Sequence, residues 1–180
     1  MVRILGPVDS ESTATGAAMT PLGPVVVVTS GDRLAGLYFA GHPRTPALDG
    51  LASHESDLLV HVRIELEQYF QGKRSNFSIP LHVEGTAFQV AVWRALIDIP
   101  SGTTATYGEV ARQLGRPQAA RAVGAANGRN PISIIVPCHR LVGADGGLTG
   151  YGWGLDRKRA LLDLERQAQD GQAEFSLARA

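Results

Sequence analysis

The sequence predicts an α+β protein in which a small sheet-and-helix domain precedes a mostly helical domain. Three observations indicate this order: a strand-like hairpin pattern near the start, helical periodicity after it, and mostly helical patterns beyond Glu84-Gly85. We therefore expect a flexible extension over residues 1–18, an N-terminal domain over residues 19–84 and a C-terminal domain over residues 85–180.

The elements of the first half follow from local patterns. Residues 1–18 are rich in Ser, Thr, Ala and Gly and show no period, which predicts a mobile segment. Strand-like runs over residues 25–29 and 34–40 flank Ser30-Gly31-Asp32, a sequence typical of a hairpin turn.

A helix and a strand complete this half. Apolar residues recur at helical spacing between residues 51 and 70, at Leu58, Leu59, Val62, Leu66 and Phe70. A strand over residues 76–83 is expected before the domain boundary.

The second half contains short helices with clear ends. An apolar face over residues 88–97 predicts one helix, and Thr106 is the expected N-cap of another over residues 107–114, closed by Gly115. Pro117 suits the first turn of the next helix, which ends near Gly128, so the pair resembles a helix-turn-helix. A last helix is expected over residues 156–169.

Composition limits the class of protein. The chain has 180 residues, 44% of them hydrophobic, and a single cysteine, which excludes an intramolecular disulfide and a thiolate-rich zinc cluster. We expect a reducing, cytoplasmic location, no metal and no cofactor. The apolar run over residues 25–28 is too short for a membrane span or a signal core.

Charge is unevenly distributed although the formal net charge is zero. Residues 101–140 contain five arginines against one acidic residue, a local balance of +4, which leaves −4 for the rest. Such a patch either contacts nucleic acid or is ordinary solvated surface.

The cysteine, Cys138, follows the apolar run over residues 132–136 and Pro137. The run predicts a buried strand that Pro137 ends, with the thiol turned toward a surface or cleft. A free thiol has a pKa of about 8.5, and the following His139 and Arg140 would favour the thiolate. The alternative is a small buried apolar side chain.

The helix after Pro117 carries small side chains and one arginine, Arg121. Gly124 inside it costs about 1 kcal/mol relative to alanine, so close contact with another surface is expected. That surface is either the protein interior or the DNA minor groove, where Arg121 would fill the space of an unstacked base. The predicted DNA-facing residues are Ala119, Ala120, Arg121, Ala122, Gly124 and Ala126.

Two polar residues are expected near the thiol. Helical spacing places Glu165 on the same face as Leu161 and Leu162, so it either faces inward and pairs with His139 or lies exposed at a frayed helix end. A water would then connect His139 to Cys138. Asn130 precedes Pro131 and forms either an ordinary turn or a brace between the flanking segments.

Taken together, these motifs resemble the O6-alkylguanine-DNA alkyltransferases, also called methylated-DNA-protein-cysteine methyltransferases. The resemblance runs from Gly85 to Glu165, and the first half matches only loosely. The matching segments are Thr86-Ala87-Phe88-Gln89, Val92-Trp93, Ile99-Pro100, Thr106-Tyr107-Gly108-Glu109-Val110-Ala111, Ala119-Ala120-Arg121-Ala122-Val123-Gly124, Asn130-Pro131 and Ile135-Val136-Pro137-Cys138-His139-Arg140.

The resemblance implies a ribonuclease H-like N-terminal core and irreversible, single-turnover repair of DNA. Cys138 would accept the alkyl group from O6 of a flipped guanine, and O4 of thymine is a second expected lesion. His139 would be the base acting through water, Glu165 would orient it, and Asn130 would brace the site. The partner would be double-stranded DNA bound through its minor groove by a monomer, with Arg121 inserted into the base stack.

The resemblance also implies roles for residues that contact the flipped base or line its pocket. Tyr107 would donate a hydrogen bond or proton to N3 of the departing guanine. The expected pocket residues are Val136, Tyr151, Gly152 and Trp153. Trp153 departs from the Gly-Gly common at this place in the family, and it would either narrow the pocket or stack on the base.

Two other functional classes are alternatives to an alkyltransferase. A cysteine hydrolase could use Cys138, His139 and Glu165, but no segment has a convincing oxyanion-hole signature. A lesion-binding relative without catalysis would lack the acceptor cysteine, which is present here.

Overall fold

The computed structural model describes residues 4–5, 13–43, 45, 52–53 and 55–171, and these form the predicted α+β fold. Strands of the first half make one sheet in the order β1-β6-β4-β3-β2-β5. Its strands are β1 (Ile4–Leu5), β2 (Thr13–Ala18), β3 (Val25–Ser30), β4 (Arg33–Phe39), β5 (Ala52–Ser53) and β6 (Leu81–His82). β2, β3 and β4 are antiparallel neighbours, whereas β6 runs parallel to β1 and β4, and β5 runs parallel to β2.

The expected flexible extension over residues 1–18 is wrong for Thr13–Ala18. This segment is a strand that pairs with β3 along its whole length, from Thr13 opposite Ser30 to Ala18 opposite Val25. Its small residues allow close packing, because a Cβ on Gly16 would lie 2.3 Å from a Leu59 methyl group. β1 is a second paired segment of the expected extension, and residues 1–3 and 6–12 lie outside the described part of the chain.

The hairpin forms as predicted between β3 and β4, with Gly31 in the left-handed region at φ +59°. Helix α1 (Asp57–Phe70) follows, and Ser56 caps it by accepting a hydrogen bond from the Leu59 N–H. Only Leu81–His82 of the expected strand over residues 76–83 pairs as a strand. Pro80 has no N–H to donate, although its carbonyl accepts from Leu34 at 2.9 Å.

The second half is mostly helical, with α2 (Ala87–Ile97), α3 (Tyr107–Gln113), α4 (Ala120–Asn127) and α5 (Leu155–Gln169). A two-stranded parallel pair, β7 (Ala105–Thr106) and β8 (Leu141–Val142), joins two loops of this half. Capping boxes begin α2 at Thr86 and α3 at Thr106, and Gly115 at φ +69° follows α3.

Helix α4 begins three residues later than the predicted start at Pro117. The N–H of Ala119 bonds the carbonyl of Arg116 at 2.9 Å, so a separate turn precedes the helix. α3 and α4 are consecutive and packed together, and their assignment as a helix-turn-helix stays a prediction.

The predicted buried strand over residues 132–136 is wrong, although the segment is buried. Ile132 forms one isolated bridge with Leu37 of β4, and the chain then turns, with Val136 donating to the Ile132 carbonyl at 3.0 Å. Ile134 adopts φ +69°, which a strand does not allow. The turn therefore docks the segment before the cysteine beside Leu37 of β4, an inner strand of the sheet.

One hydrophobic core extends from the sheet through the helices, and its largest fully buried apolar side chains include Trp93, Tyr69 and Phe39. Across the described residues, every helix is too short or too polar to cross a lipid bilayer.

The strand at Thr13–Ala18 gives the first prediction. Thr15 pairs with Val28 on one side and Ser53 on the other, so Thr15→Pro removes a ladder hydrogen bond from a strand with two neighbours. We expect the free energy of unfolding, measured by urea titration, to fall by about 2–4 kcal/mol. An unchanged value would mean that this segment is the mobile extension after all.

Candidate active site

Cys138 lies on a 3₁₀ turn, Cys138–Arg140, which begins immediately after Pro137. Its carbonyl accepts a hydrogen bond from the side chain of Asn127 at 3.3 Å. The thiol is buried, with 3% of the residue exposed, and so it does not lie open on a surface or cleft as expected. The turn packs against α2 and α5, which enclose it.

The electrostatic surroundings of the thiol differ from the prediction. Burial raises the pKa of Cys138 to about 11, and the Asn130 side chain and the Lys158 ammonium act in the opposite direction. His139 and Arg140 were expected to favour the thiolate, but both side chains bond Glu165 instead. Lys158 and Asn130 are therefore the side chains that favour the thiolate here.

His139 and Glu165 form a buried pair, which is one of the two alternatives that the helical spacing left open, with Nε2 of His139 2.9 Å from Oε1 of Glu165. An ionised carboxylate only accepts hydrogen bonds, so Nε2 carries the proton and Nδ1 carries a lone pair. Nδ1 is buried and has no partner within the described residues. Burial lowers the pKa of His139, which Glu165 partly offsets, and the imidazole is neutral near pH 7.

Among the residues that the structure describes, four donate hydrogen bonds to Glu165. Arg140 donates from Nε and Nη2, Tyr69 from its hydroxyl at 2.8 Å, the backbone of Gly102 at 3.1 Å, and His139 from Nε2. Burial alone would raise the pKa of Glu165, but His139 and Arg140 outweigh it and hold the pKa well below its usual range. The carboxylate stays ionised inside the core.

Arg140 and Tyr69 are partners of Glu165 that were not predicted from the sequence. Arg140 could have been found, because a buried carboxylate needs a cation and this arginine follows His139 directly. Tyr69 lies three residues after Leu66 on the apolar face of α1, a signal that its hydroxyl is buried and needs a partner. Nothing in the sequence indicates which partner, since Glu165 is 96 residues away.

Lys158 is a third missed residue. It is buried, and its ammonium donates to the carbonyl oxygens of Leu141 and Thr149, which lie on the two sides of the loop after β8. Burial lowers its pKa to about 8. Lys158 thus ties this loop to α5 beside the thiol.

Asn130 braces the turn that leads to the cysteine. Its Oδ1 accepts from the Ile132 N–H at 3.0 Å, and its Nδ2 donates to the carbonyl of Val136 at 2.8 Å. These bonds replace backbone pairing that a strand would have made.

A cleft of about 730 Å³ lies between α3, α4 and the loop after β8, and its walls include Tyr107, Arg112, Arg121, Gly124 and Gly150. An adjoining cleft of about 640 Å³ shares Gly124 and Gly150 and adds Arg129, Tyr151 and Gly152. Cys138 lines neither cleft, but Tyr107 of the first and Tyr151 of the second are near enough to the thiol to interact with it electrostatically.

Tyr107 is held against the loop after β8. Its hydroxyl donates to the Thr149 carbonyl at 3.0 Å, and burial raises its pKa. A Cβ on Gly150 would lie 2.4 Å from the Tyr107 oxygen, so this close approach requires glycine.

Of the predicted DNA-facing residues, Ala120, Arg121 and Gly124 of α4 line the first cleft. Arg121 and Ala122 are exposed, and Ala119, Ala120 and Gly124 are half-buried. The expectation that Ala126 faces DNA is wrong, because Ala126 is buried and its carbonyl accepts from Nε1 of Trp93 at 3.0 Å.

The placement of Trp153 in the base pocket is also wrong. Its indole packs on the sheet, with ring centroids 5.8 Å from Phe39, 6.2 Å from Tyr38 and 4.9 Å from His42. Val136 is fully buried and lines neither cleft.

The described part of the chain contains no cluster of three or more His, Cys, Asp or Glu side chains that could hold a metal ion.

Two family models match most of the chain. One, described as "6-O-methylguanine DNA methyltransferase, DNA binding domain", matches residues 87–167. The other, described as "6-O-methylguanine DNA methyltransferase, ribonuclease-like domain", matches residues 14–83.

Related proteins named methylated-DNA–protein-cysteine methyltransferase are similar over most of the chain. The protein from Mycobacterium leprae (strain TN) is 47% identical over 147 residues, which are 82% of this chain and 88% of that protein. The inducible protein from Bacillus subtilis (strain 168) is 44% identical over 146 residues, 75% of this chain and 82% of that protein.

Solved structures share the fold. Mycobacterium tuberculosis OGT in complex with DNA superposes with a TM-score of 0.78 at 44% identity, covering 87% of this chain and 94% of that chain. The O6-methylguanine methyltransferase of M. tuberculosis gives a TM-score of 0.81 at 42% identity, and the match covers 92% of this chain and 97% of that chain.

The brace at Asn130 gives the second prediction. Asn130→Ala leaves the Ile132 N–H and the Val136 carbonyl without their side-chain partner inside the core. We expect the free energy of unfolding to fall by about 2–4 kcal/mol, measured by urea titration. Asn76→Ala, at an exposed asparagine, is the matched control and changes stability little. A loss at Asn130 as small as in the control would contradict the bracing role.

Proposed function

The chain belongs to the 6-O-methylguanine DNA methyltransferase family, and from this premise we propose that it repairs DNA by transferring an alkyl group from O6 of guanine to the sulfur of Cys138. One observation carries the assignment of the site: Cys138 adjoins a buried His139–Glu165 pair, and Nδ1 of His139 has no hydrogen-bond partner among the described residues. The cleft beside the thiol supplies the space for a base.

The reaction is a displacement at the alkyl carbon. A bridging water relays the thiol proton from Cys138 to Nδ1 of His139, and Glu165 stabilises the imidazolium that forms. The sulfur–carbon bond forms as the carbon–O6 bond breaks, and the bonding electrons pass to the guanine. Tyr107 exchanges its Thr149 partner for N3 of the guanine and stabilises the charge there. Asn130 keeps the turn before Cys138 in place.

The product is a thioether on Cys138. A carbon–sulfur bond of this kind is stable in water, and the mechanism provides no nucleophile that would reverse it. Each molecule therefore acts once. O4-alkylthymine presents a comparable alkyl–oxygen bond and is a second substrate.

DNA lies across α3 and α4, which act as the helix-turn-helix. The small side chains Ala119, Ala120, Ala122 and Gly124 allow α4 to enter the minor groove, and Arg121 fills the gap left by the flipped base. Exposed arginines around the cleft bind phosphates, so affinity falls as salt rises. Tyr151 and Gly152 border the base pocket.

The protein acts as a monomer in the cytoplasm. The acceptor, base and carboxylate all come from one chain, and a reducing compartment keeps the single thiol free. The chain divides near Glu84-Gly85 into a supporting sheet-and-helix domain and an alkyl-acceptor domain.

Cys138→Ser tests the acceptor. After incubation with duplex DNA containing O6-methylguanine, we expect the intact wild-type protein to gain the mass of one methyl group, at one per molecule. The variant gains none and retains its DNA affinity, measured by fluorescence anisotropy. Methyl transfer by the variant would overturn the assignment, and transfer of more than one group per molecule would overturn the single-turnover reaction.

Arg121→Ala tests base flipping. We expect transfer from duplex DNA to slow at least about tenfold, because the flipped-out nucleotide loses a few kcal/mol of stabilisation without Arg121. Transfer from the free base O6-benzylguanine should be unchanged, because no flipping is needed. Arg166→Ala removes an equal charge from an exposed site on α5 and is the control. Equal slowing with both substrates would contradict a role in flipping.

A further inference from the structure

We propose that Tyr69, in the sheet-and-helix part of the chain, is a positioning residue for alkyl transfer that holds the Glu165 carboxylate in line with His139. The proposal rests on the proposed function. Tyr69 is the second-last residue of α1, and its hydroxyl donates to Oε1 of Glu165 at 2.8 Å.

The carboxylate is held from separate sides. Arg140 donates to both oxygens and is itself anchored by a bond from Nη1 to the Ile99 carbonyl at 2.6 Å. Gly102 donates to Oε2 alone. Tyr69 donates to Oε1, the same oxygen that accepts from His139. Removing the hydroxyl therefore takes one donor away from the oxygen that orients the imidazole and leaves Arg140 as its other donor besides His139.

The Tyr69 ring is fixed before any substrate arrives. Phe70 packs edge-on at a centroid distance of 5.3 Å, and Phe77 packs at 5.3 Å with a tilt of 38°. Burial raises the pKa of Tyr69 well above its usual value, and Glu165 adds to the effect, so the hydroxyl keeps its proton and only donates here. A rigid ring and a permanent donor are what a positioning residue requires.

The Tyr69 hydroxyl also reduces the negative charge that Oε1 of Glu165 presents to His139. The groups around this imidazole are Glu165, Arg140 and Lys158, and Tyr69 and Tyr151 face Glu165. Each donor to Oε1 disperses its negative charge. Without the Tyr69 hydroxyl, Oε1 attracts the imidazolium more strongly, which raises the pKa of His139.

A packing role alone makes a different prediction. Tyr69 also fills the core between the two parts of the chain, and loss of packing would lower stability without changing the imidazole titration. The hydroxyl and the ring therefore have to be tested separately.

Tyr69→Phe removes only the hydroxyl. We expect the plateau rate of methyl transfer from duplex DNA, measured by rapid quench across pH, to fall about three- to tenfold. The midpoint of the acid limb should move up by about half to one pH unit. NMR of ¹⁵N-histidine-labelled protein should show the same upward movement in the titration of His139, and DNA affinity should not change.

Two variants serve as controls. Tyr38→Phe removes a tyrosine hydroxyl of the sheet near Trp153 that does not contact Glu165. Leu66→Val removes one methylene from the buried face of α1 and lowers stability without touching the carboxylate. Both should retain the wild-type plateau rate and His139 titration, even where unfolding occurs at a lower urea concentration.

A plateau rate equal to that of the wild type, with or without a moved midpoint, overturns the proposal. Equal rate losses in Tyr69→Phe and Leu66→Val also overturn it, since packing then explains both. If the wild-type protein transfers no methyl group, the proposed function fails, and the NMR titration alone still tests the coupling of Tyr69 to His139.

Discussion

The buried negative charge of Glu165 is the constraint on which the rest of the site depends. An unpaired carboxylate in the core is costly, so donors from separate parts of the chain converge on it. Tyr69 comes from α1, Gly102 from the loop after α2, and His139 and Arg140 from the 3₁₀ turn. This one group therefore ties the sheet-and-helix part, the cysteine turn and α5 together.

That arrangement decides the chemistry of the neighbouring imidazole. Because the ionised carboxylate takes the Nε2 proton of His139, the lone pair is left on Nδ1, and burial keeps the ring neutral. A neutral imidazole with an open acceptor is suited to receive a proton from Cys138. In the proposed reaction this general base is in place before DNA binds, and the His139–Glu165 pair needs no rearrangement.

The reactive thiol and the cleft are lined by different residues. Cys138 is enclosed, whereas Tyr107, Arg121 and Gly150 line the cleft. The bond from Tyr107 to the Thr149 carbonyl and the bonds of Lys158 hold the loop after β8 beside the thiol. In the proposed reaction an entering guanine takes over the hydroxyl of Tyr107, so recognition of the guanine and release of that loop contact occur together.

The sequence by itself determined the features that depend on neighbouring residues: the hairpin at Gly31, the helix cap at Thr106, and the order Pro137-Cys138-His139. Only the tertiary structure decided which distant groups meet. It placed Trp153 on the sheet and Ala126 in the core, paired Thr13–Ala18 with β3, turned residues 132–136 out of strand geometry, and brought Tyr69 to Glu165. Capping and turns require only residues within a few positions, whereas burial and the pairing of a charge depend on surfaces that exist only after the chain has folded.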